Sequence, residues 1–293
     1  MITIWTLTRR NLRLFFRDRM RVFFSLLSAL ILVALYVFFL GNQITSSVTA
    51  QLPGAPVEDV DRFIRAWVFA GVIMITSLTA SLGAMAVFVG DRVAHRFDDF
   101  LVAPPRRGYL TLGYLLAAFL VAALISLLLL AAAQITLAIT GGGMTLGELA
   151  SAAGITLLCC LVFAALSALA ASFIASAGAF AALSTIVGTG VGFLAGAYVP
   201  LGTLPAGVAK VLTLLPFAQA ASLVRGPLTA GPLDALDAAQ PGAGESLATY
   251  FGVHAMVGDT ELGVPLLIAI LSGLGIVFLL LAIGRFGRRL RTV

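Results

Sequence analysis

Long apolar runs separated by short polar connections dominate the chain. Six of them, Val22 to Gly41, Trp67 to Gly90, Tyr109 to Ile139, Leu149 to Ala175, Ala179 to Pro200 and Leu262 to Gly284, carry no charge in their interiors. Each has at least the roughly 20 residues needed to cross a hydrocarbon core. The pattern predicts an all-α integral membrane protein with six transmembrane helices in a single transmembrane domain over residues 1–293. A further apolar stretch, Leu204 to Val224, is interrupted by Pro205, Lys210 and Pro216. Counting it as a span would put the arginine-rich carboxyl end on the far side from the amino end. It is read instead as two short re-entrant helices over 203–225, with an outer loop following over 226–261. Broken backbone at that depth is tolerable only where protein or a watery cavity covers it.

Charge is distributed unevenly about these runs. With the amino terminus in the cytoplasm, fourteen of the eighteen Lys and Arg residues fall on the cytoplasmic side: six from Arg9 to Arg21, then Arg92, Arg96, Arg106 and Arg107, and finally Arg285, Arg288, Arg289 and Arg291. Outside lie Arg62, Arg65, Lys210 and Arg225, with nine of the thirteen carboxylates. The balance is +10 inside and −5 outside. That Lys/Arg bias orients the chain with both termini cytoplasmic. The basic excess therefore reflects topology and attraction to anionic lipid headgroups, not affinity for nucleic acid.

Two segments on the arginine-rich side have helical periodicity of their own. From Ile4 to Arg21, Trp5, Leu12, Phe15 and Phe16 fall within about a quarter turn while Arg10, Arg13, Arg17 and Arg21 group elsewhere, although Leu7 and Leu14 spoil the separation. This predicts an interfacial helix over 4–21 bending into the first span; a simple positive anchor is a compatible reading. The run that follows is too long, and too far from the start, for a cleavable signal peptide. Between Asp91 and Phe100, Val93, Ala94, Phe97 and Phe100 share one arc, and Asp91, Arg92, His95, Arg96, Asp98 and Asp99 the other. Pro104 and Pro105 terminate this amphipathic helix within a loop spanning 91–107. Its mixed charge suits docking of a soluble partner better than lying on lipid, where basic residues would prevail. The blander reading is a solvated loop with lipid-facing phenylalanines.

Missing residues restrict the chemistry. The single lysine, Lys210, follows an alanine, so no phosphate-binding loop of the form G-x-x-x-x-G-K-[ST] is present and the chain has no ATPase of its own. His95 and His254 both lie outside the spans. Proton relay, intramembrane metal binding and a membrane-embedded serine protease all lose support, and no catalytic or metal residue is assigned. Adjacent Cys159 and Cys160 cannot form an ordinary bridge and are read as packing. Hydroxyls at Thr76, Ser77 and Thr79 in the second span, and at Ser184, Thr185 and Thr189 in the fifth, are candidates for lining a weakly polar passage suited to an amphiphile. Close helix packing through small residues is the alternative account.

The order of these features resembles a known family. An arginine-rich first helix, WTLTRRNLRLFFRDR, precedes two spans and the loop DRVAHRFDDFLVAPPRRGYL; a fifth span then runs into FLAGAYVPLGTLP and LPFAQAASLVRGPL before the last. The chain is similar to the permease subunit of a type-2 ATP-binding-cassette (ABC) exporter over most of its length, departing in the outer segments. The resemblance implies a coupling helix in the loop after the second span, and assembly with a second permease copy or paralogue and two separate ATPase subunits that carry ATP and Mg. It implies no cofactor on this chain. Asp91, Arg92, Arg96, Asp98, Asp99 and Phe100 would contact the ATPase, with Arg10, Arg13 and Arg17 nearby. Pro200, Leu201, Leu204, Pro205, Pro216 and Arg225 would shape the outer gate. The implied activity is efflux of an amphiphilic, drug-like, peptide or lipid-linked substrate. An alanine-, glycine- and arginine-rich composition with one lysine is that of a high-GC bacterium, making the expected location a bacterial plasma membrane, multi-pass. The competing readings are an ATP-independent channel or facilitator, which would want charged rings or a filter sequence, and an immunity or scaffold protein.

Overall fold

A computed structural model describes residues 2–36, 41–52, 54–94, 96, 107–258 and 260–289. Among them are eleven α-helices: α1 (Ile2–Arg17), α2 (Arg19–Leu35), α3 (Gly41–Gln51), α4 (Val57–Val93), α5 (Arg107–Ile139), α6 (Leu146–Phe173), α7 (Ala177–Leu194), α8 (Ala206–Thr213), α9 (Pro216–Ala239), α10 (Ala243–Tyr250) and α11 (Val264–Arg289). A 3-10 turn, Leu201–Thr203, precedes α8, and a two-residue hairpin, β1 (Met256–Val257) with β2 (Thr260–Glu261), precedes α11. Helices α4, α5, α6, α7 and α11 are each long and apolar enough to cross a membrane. The chain is an all-α membrane protein.

Helix α4 is the hub. Its 37 residues extend about 55 Å at 1.5 Å per residue, well beyond a hydrocarbon core of ~30 Å. The excess carries Glu58, Asp59 and Asp61 in its first turns, where the positive helix end favours them. Arg62 pairs with Asp59 at 3.0 Å and Arg65 with Asp61 at 2.6 Å along the same surface. Further along, α4 is buried on nearly every side by α2, α3, α5, α6, α7 and α9. An apolar helix surrounded by protein shows no amphipathic stripe, which is why its periodicity is weak. By contrast, only 17% of the most apolar window of α7, and of α11, is buried. Those two faces are covered by lipid or by another protein.

Capping residues set several boundaries. Thr145 opens α6 in a reciprocal capping box with Glu148. Helix α7 closes in a Schellman motif: Gly196 has φ +60°, its N–H bonds Phe193 O, and Ala197 N–H bonds Gly192 O. The fifth predicted run, drawn to Pro200, therefore ends as a helix at Leu194, and residues 195–200 fold back toward α4. Gly71 on α4 permits this approach, since a side chain there would collide with Ala197.

Other expectations need correction. The first span, drawn to Gly41, is described as α2 to Leu35, and Gly41 opens α3; the four residues before Gly41 lie outside the described residues. The segment 226–261 is not an outer loop. Helix α9 runs through its start, and α10 and the hairpin occupy the rest. Pro216 sits at the first turn of α9, where its missing N–H costs nothing, and Pro227 and Pro232 lie inside the helix. Composition there read as loop because proline removes internal hydrogen bonds, but twelve buried residues along α9 hold the helix in the fold. Helices α8 and α9 meet at 83°.

Candidate translocation path and the polar clusters at its ends

At the arginine-rich end, α1 packs along α5 with Leu7, Thr8, Asn11 and Phe15 buried. These recur at spacings of three and four residues, so they share one face. Leu7, which blurred the predicted arc, lies at the centre of that contact, opposite Gly113. Trp5 and Phe16, placed on the same apolar arc from sequence, are 59% and 39% exposed and form a separate outward face. The helix thus has two apolar faces, one against protein and one outward, with Arg10 at the edge of the buried one.

Arg10 reaches Asp91 at the end of α4. Its Nη1 donates to Asp91 Oδ2 at 2.7 Å and its Nη2 to Oδ1 at 3.0 Å. The Tyr114 hydroxyl of α5 donates to Oδ2 at 2.6 Å and Arg96 Nη1 to Oδ1 at 3.0 Å. One carboxylate, its side chain 2% exposed, therefore joins α1, α4, α5 and the start of the following loop. The hydrogen bond to Asp91 holds the Arg10 guanidinium above its ordinary pKa. Bidentate, charge-assisted pairs of this kind fix geometry as well as adding energy.

Helical periodicity puts Asp91 on the polar arc with Arg92 and Arg96. The correction follows from α4 continuing unbroken to Val93 with its cap at Ala94, which turns Asp91 inward against Tyr114. Arg92 Nη1 donates to the Ile174 carbonyl at the end of α6 at 2.8 Å. Arg96, Arg13 and Arg17 are exposed. Asp98, Asp99 and Phe100 lie outside the described residues.

Five of the six candidate passage residues come together. Thr76 and Thr79 of α4 and Ser184, Thr185 and Thr189 of α7 line one cavity of about 260 Å³, which Ala29 of α2 and Tyr198 also border. Thr79, Ser184, Thr185 and Thr189 each donate to a carbonyl one turn back in their own helix, leaving oxygen lone pairs for the cavity. Ser77 is not among the lining residues. It lies 100° around α4 from Thr76, fully buried, donating to Met74 O at 2.6 Å.

At the opposite end, the chain after α7 is fastened by Arg225 of α9. This side chain is fully buried. Nη1 donates to Gly252 O at 3.0 Å; Nη2 donates to Ala195 O at 3.1 Å and Gly196 O at 2.7 Å. The carbonyls at the end of α7 carry the negative pole of that helix. The guanidinium also lies 5.3 Å from the centre of the Trp67 ring. Among the described residues no carboxylate pairs with Arg225, so carbonyl dipoles and an aromatic face offset its desolvation.

Trp67 in turn donates to Phe251 O at 2.9 Å, and Tyr36 donates to Ala197 O and Tyr198 O at 3.2 and 3.0 Å. Ser222 of α9 donates to Val253 O. Arg225, Trp67 and Tyr36 thus form a clasp linking the residue after α2, α4, α9, the close of α7 and the turn after α10. Of the expected gate residues, Pro200 caps the 3-10 turn, Leu201 is buried, Leu204 is half-buried, Pro205 caps α8 and Pro216 opens α9. The sequence counts Arg225 among the outer charges and the family resemblance places it at the outer gate, but neither singles out Tyr36, Trp67 or Tyr114. A tyrosine or tryptophan near the end of an apolar run, able to use its polar tip, was the available signal.

A second cavity at the carboxylate-rich end, about 590 Å³, has Glu148, Asp234, Asp237, Glu245, Glu261 and His254 among its lining residues. Several of these acids already serve the local fold. Asp237 Oδ1 accepts the N–H groups of Gly242 and Gly244, Glu148 completes the α6 capping box, and His254 bonds Glu261.

The ABC-2 type transporter family matches residues 3–228, most of the chain, and the protein belongs to that family. Its members are transmembrane components that generally act with ATP-binding-cassette subunits carrying the ATPase. No curated protein matches the sequence. The matched segment contains the Asp91 cluster, the hydroxyl-lined cavity and Arg225, and stops within α9.

Proposed function

We propose that this chain is the permease subunit of an ATP-driven exporter in a bacterial plasma membrane, with both termini cytoplasmic. Two permeases would assemble with two separate ATPase subunits that bind ATP and Mg, and the substrate would be an amphiphilic, drug-like, peptide or lipid-linked molecule. The observation that carries the reading is the buried Asp91 hub. It ties the amino-terminal helix, the end of α4 and the start of α5 into one unit, at the start of the segment 91–107 expected to hold the coupling helix.

In this mechanism, closure of the ATPases pushes that segment, with Arg92, Arg96, Asp98, Asp99 and Phe100 at or near the contact and Arg13 and Arg17 on the exposed face of α1. The Asp91 hub moves α1, α4 and α5 together. Helix α4 carries the displacement to the hydroxyl-lined cavity and on to Trp67, where the clasp holds the end of α7. Release of α7 and of the re-entrant pair α8–α9 opens the far side. No bond chemistry occurs on this chain. Inverting a 1:99 equilibrium between inward and outward states takes about 5.5 kcal/mol of differential binding, and that difference must arise at the nucleotide-dependent contact.

The test is a mild-detergent pull-down of the tagged chain from its host, with identification of bound proteins and an ATP-hydrolysis assay of the eluate. A stoichiometric ATPase whose recovery falls in Asp98→Ala/Asp99→Ala, with membrane insertion unchanged, is the expected result. Recovery of the chain without any ATPase overturns the assignment, and normal coupling in the double variant removes the proposed contact.

A further inference from the structure

A third cavity lies between α3, the 3-10 turn and α10. Its volume of about 390 Å³ falls in the ~300–1,000 Å³ range typical of small-molecule sites. Gln43, Ser47 and Gln51 recur every fourth residue along one face of α3, and Thr203, Ser246 and Tyr250 complete the polar wall. Val48, Leu247 and Phe251 supply an apolar floor. Among the described residues no Asp, Glu, Lys, Arg or His lines the cavity, although this end of the protein is rich in carboxylates.

Hydrogen bonds within the wall determine what it can offer. Ser47 Oγ donates to Gln43 O at 2.8 Å, Thr203 Oγ1 to Pro200 O at 2.7 Å and Ser246 Oγ to Gly242 O at 2.8 Å. Each hydroxyl has committed its only proton to backbone and presents acceptor lone pairs. Gln51 Nε2 donates one of its two N–H groups to Ser47 O at 3.3 Å, which leaves its oxygen as an acceptor and its second N–H as a donor. The wall is therefore uncharged, offers acceptors from its hydroxyl and amide oxygens together with donors from the Gln43 and Gln51 amides and the Tyr250 hydroxyl, and is set beside an aromatic ring. Its complement is a ligand with several O–H donors, no net charge, and an apolar face to lie against Tyr250. An ammonium ion could satisfy the acceptors, but would lose hydration with no carboxylate opposite it.

We propose that this cavity is a binding site for a polyhydroxylated, uncharged ring, a sugar unit, either free or as the headgroup of a lipid-linked molecule. The site adjoins the clasp. Pro200 and Thr203 belong to the chain between α7 and α8, and Phe251 bears the carbonyl that accepts from Trp67. A bound ring would contact the elements that Arg225 and Trp67 hold together. This inference goes beyond the permease reading, because it concerns a ligand site whose occupancy requires neither an ATPase nor transport.

The experiment uses the full chain carrying Trp5→Phe, so that Trp67 is the sole tryptophan, in phosphatidylcholine nanodiscs. Calorimetry measures binding and Trp67 emission reports its position. The probes are maltose, n-octyl β-D-glucoside below its micellar concentration, and tetraethylene glycol monooctyl ether, which has the same tail without sugar hydroxyls. The expected result is saturable glucoside binding at least tenfold tighter than the ether, with a change in Trp67 emission. The preference should disappear in Gln43→Ala/Gln51→Ala/Ser246→Ala, whose three positions are exposed and whose fold is checked by an unchanged emission spectrum without probe. Saturable maltose binding supports a free-sugar site, and glucoside binding alone supports a lipid-linked sugar. Equal affinity for glucoside and ether, no saturable binding of either sugar probe, or a preference that survives in the triple variant overturns the proposal. Each of those outcomes leaves the pull-down test of the permease reading unaffected.

Discussion

The Arg10–Asp91 pair provides a direct energetic test of the hub. Two parallel charge-assisted hydrogen bonds, at 2.7 and 3.0 Å, join the partners. Such bonds contribute about 1.5 kcal/mol each at the low end of their range, giving about 3 kcal/mol before solvent is considered. Arg10 remains 30% exposed while Asp91 is 2% exposed, so partial screening reduces the expected coupling to about 2 kcal/mol. The single substitution Asp91→Ala should cost more, about 3–5 kcal/mol, because it also leaves Tyr114 and Arg96 without their acceptor. Arg10→Ala should cost less, since Asp91 keeps those two donors. The assay is a double-mutant cycle on Arg10→Ala, Asp91→Ala and the pair, using reversible unfolding in mixed micelles titrated with dodecyl sulfate. Strictly additive effects, or a coupling below about 0.5 kcal/mol, would refute the assignment of this pair as the tie between α1 and α4.

Two further expectations concern the far end and the spans. Arg225→Met should leave the carbonyls of Ala195, Gly196 and Gly252 without their donor and lower stability by about 2–4 kcal/mol. Arg225→Lys should recover only part of this, since one ammonium cannot reproduce the planar fork; full recovery by lysine in the same unfolding assay would show that charge alone matters. Cys159 and Cys160 are free and buried. A maleimide should therefore leave both unmodified in the folded protein and label both after unfolding, whereas rapid labelling in the folded state would contradict the packing of α6 against α4 and α5.

Hydropathy made the membrane architecture legible because burial in lipid and burial in protein impose the same demand for apolar side chains. That same equivalence hid which runs face protein: α4 and α7 are both apolar, yet one is enclosed and the other largely open. Pro205 and Pro216 mark helix starts that the structure shows, but the proline- and glycine-rich segment after them concealed α9, where tertiary packing retains a helix despite two internal prolines. The candidate passage was readable as hydroxyl types on two runs. Only helix rotation separated Ser77 from its five companions.

The sequence by itself determined the class of protein: charge-free runs of spanning length, an arginine bias to one side of them, and no phosphate-binding loop or histidine within them. Those properties depend on composition along the chain, and no folding is needed to read them. Tertiary structure alone decided the partners of the polar groups. Asp91 looked like part of an exposed docking arc until Arg10, 81 positions away, and Tyr114 closed over it. Arg225 was placed at the outer gate by resemblance, but could not be matched from sequence to carbonyls near 195 and 252. A buried polar group must find a partner or incur the cost of desolvation, and which distant segment supplies that partner is fixed only when the helices pack.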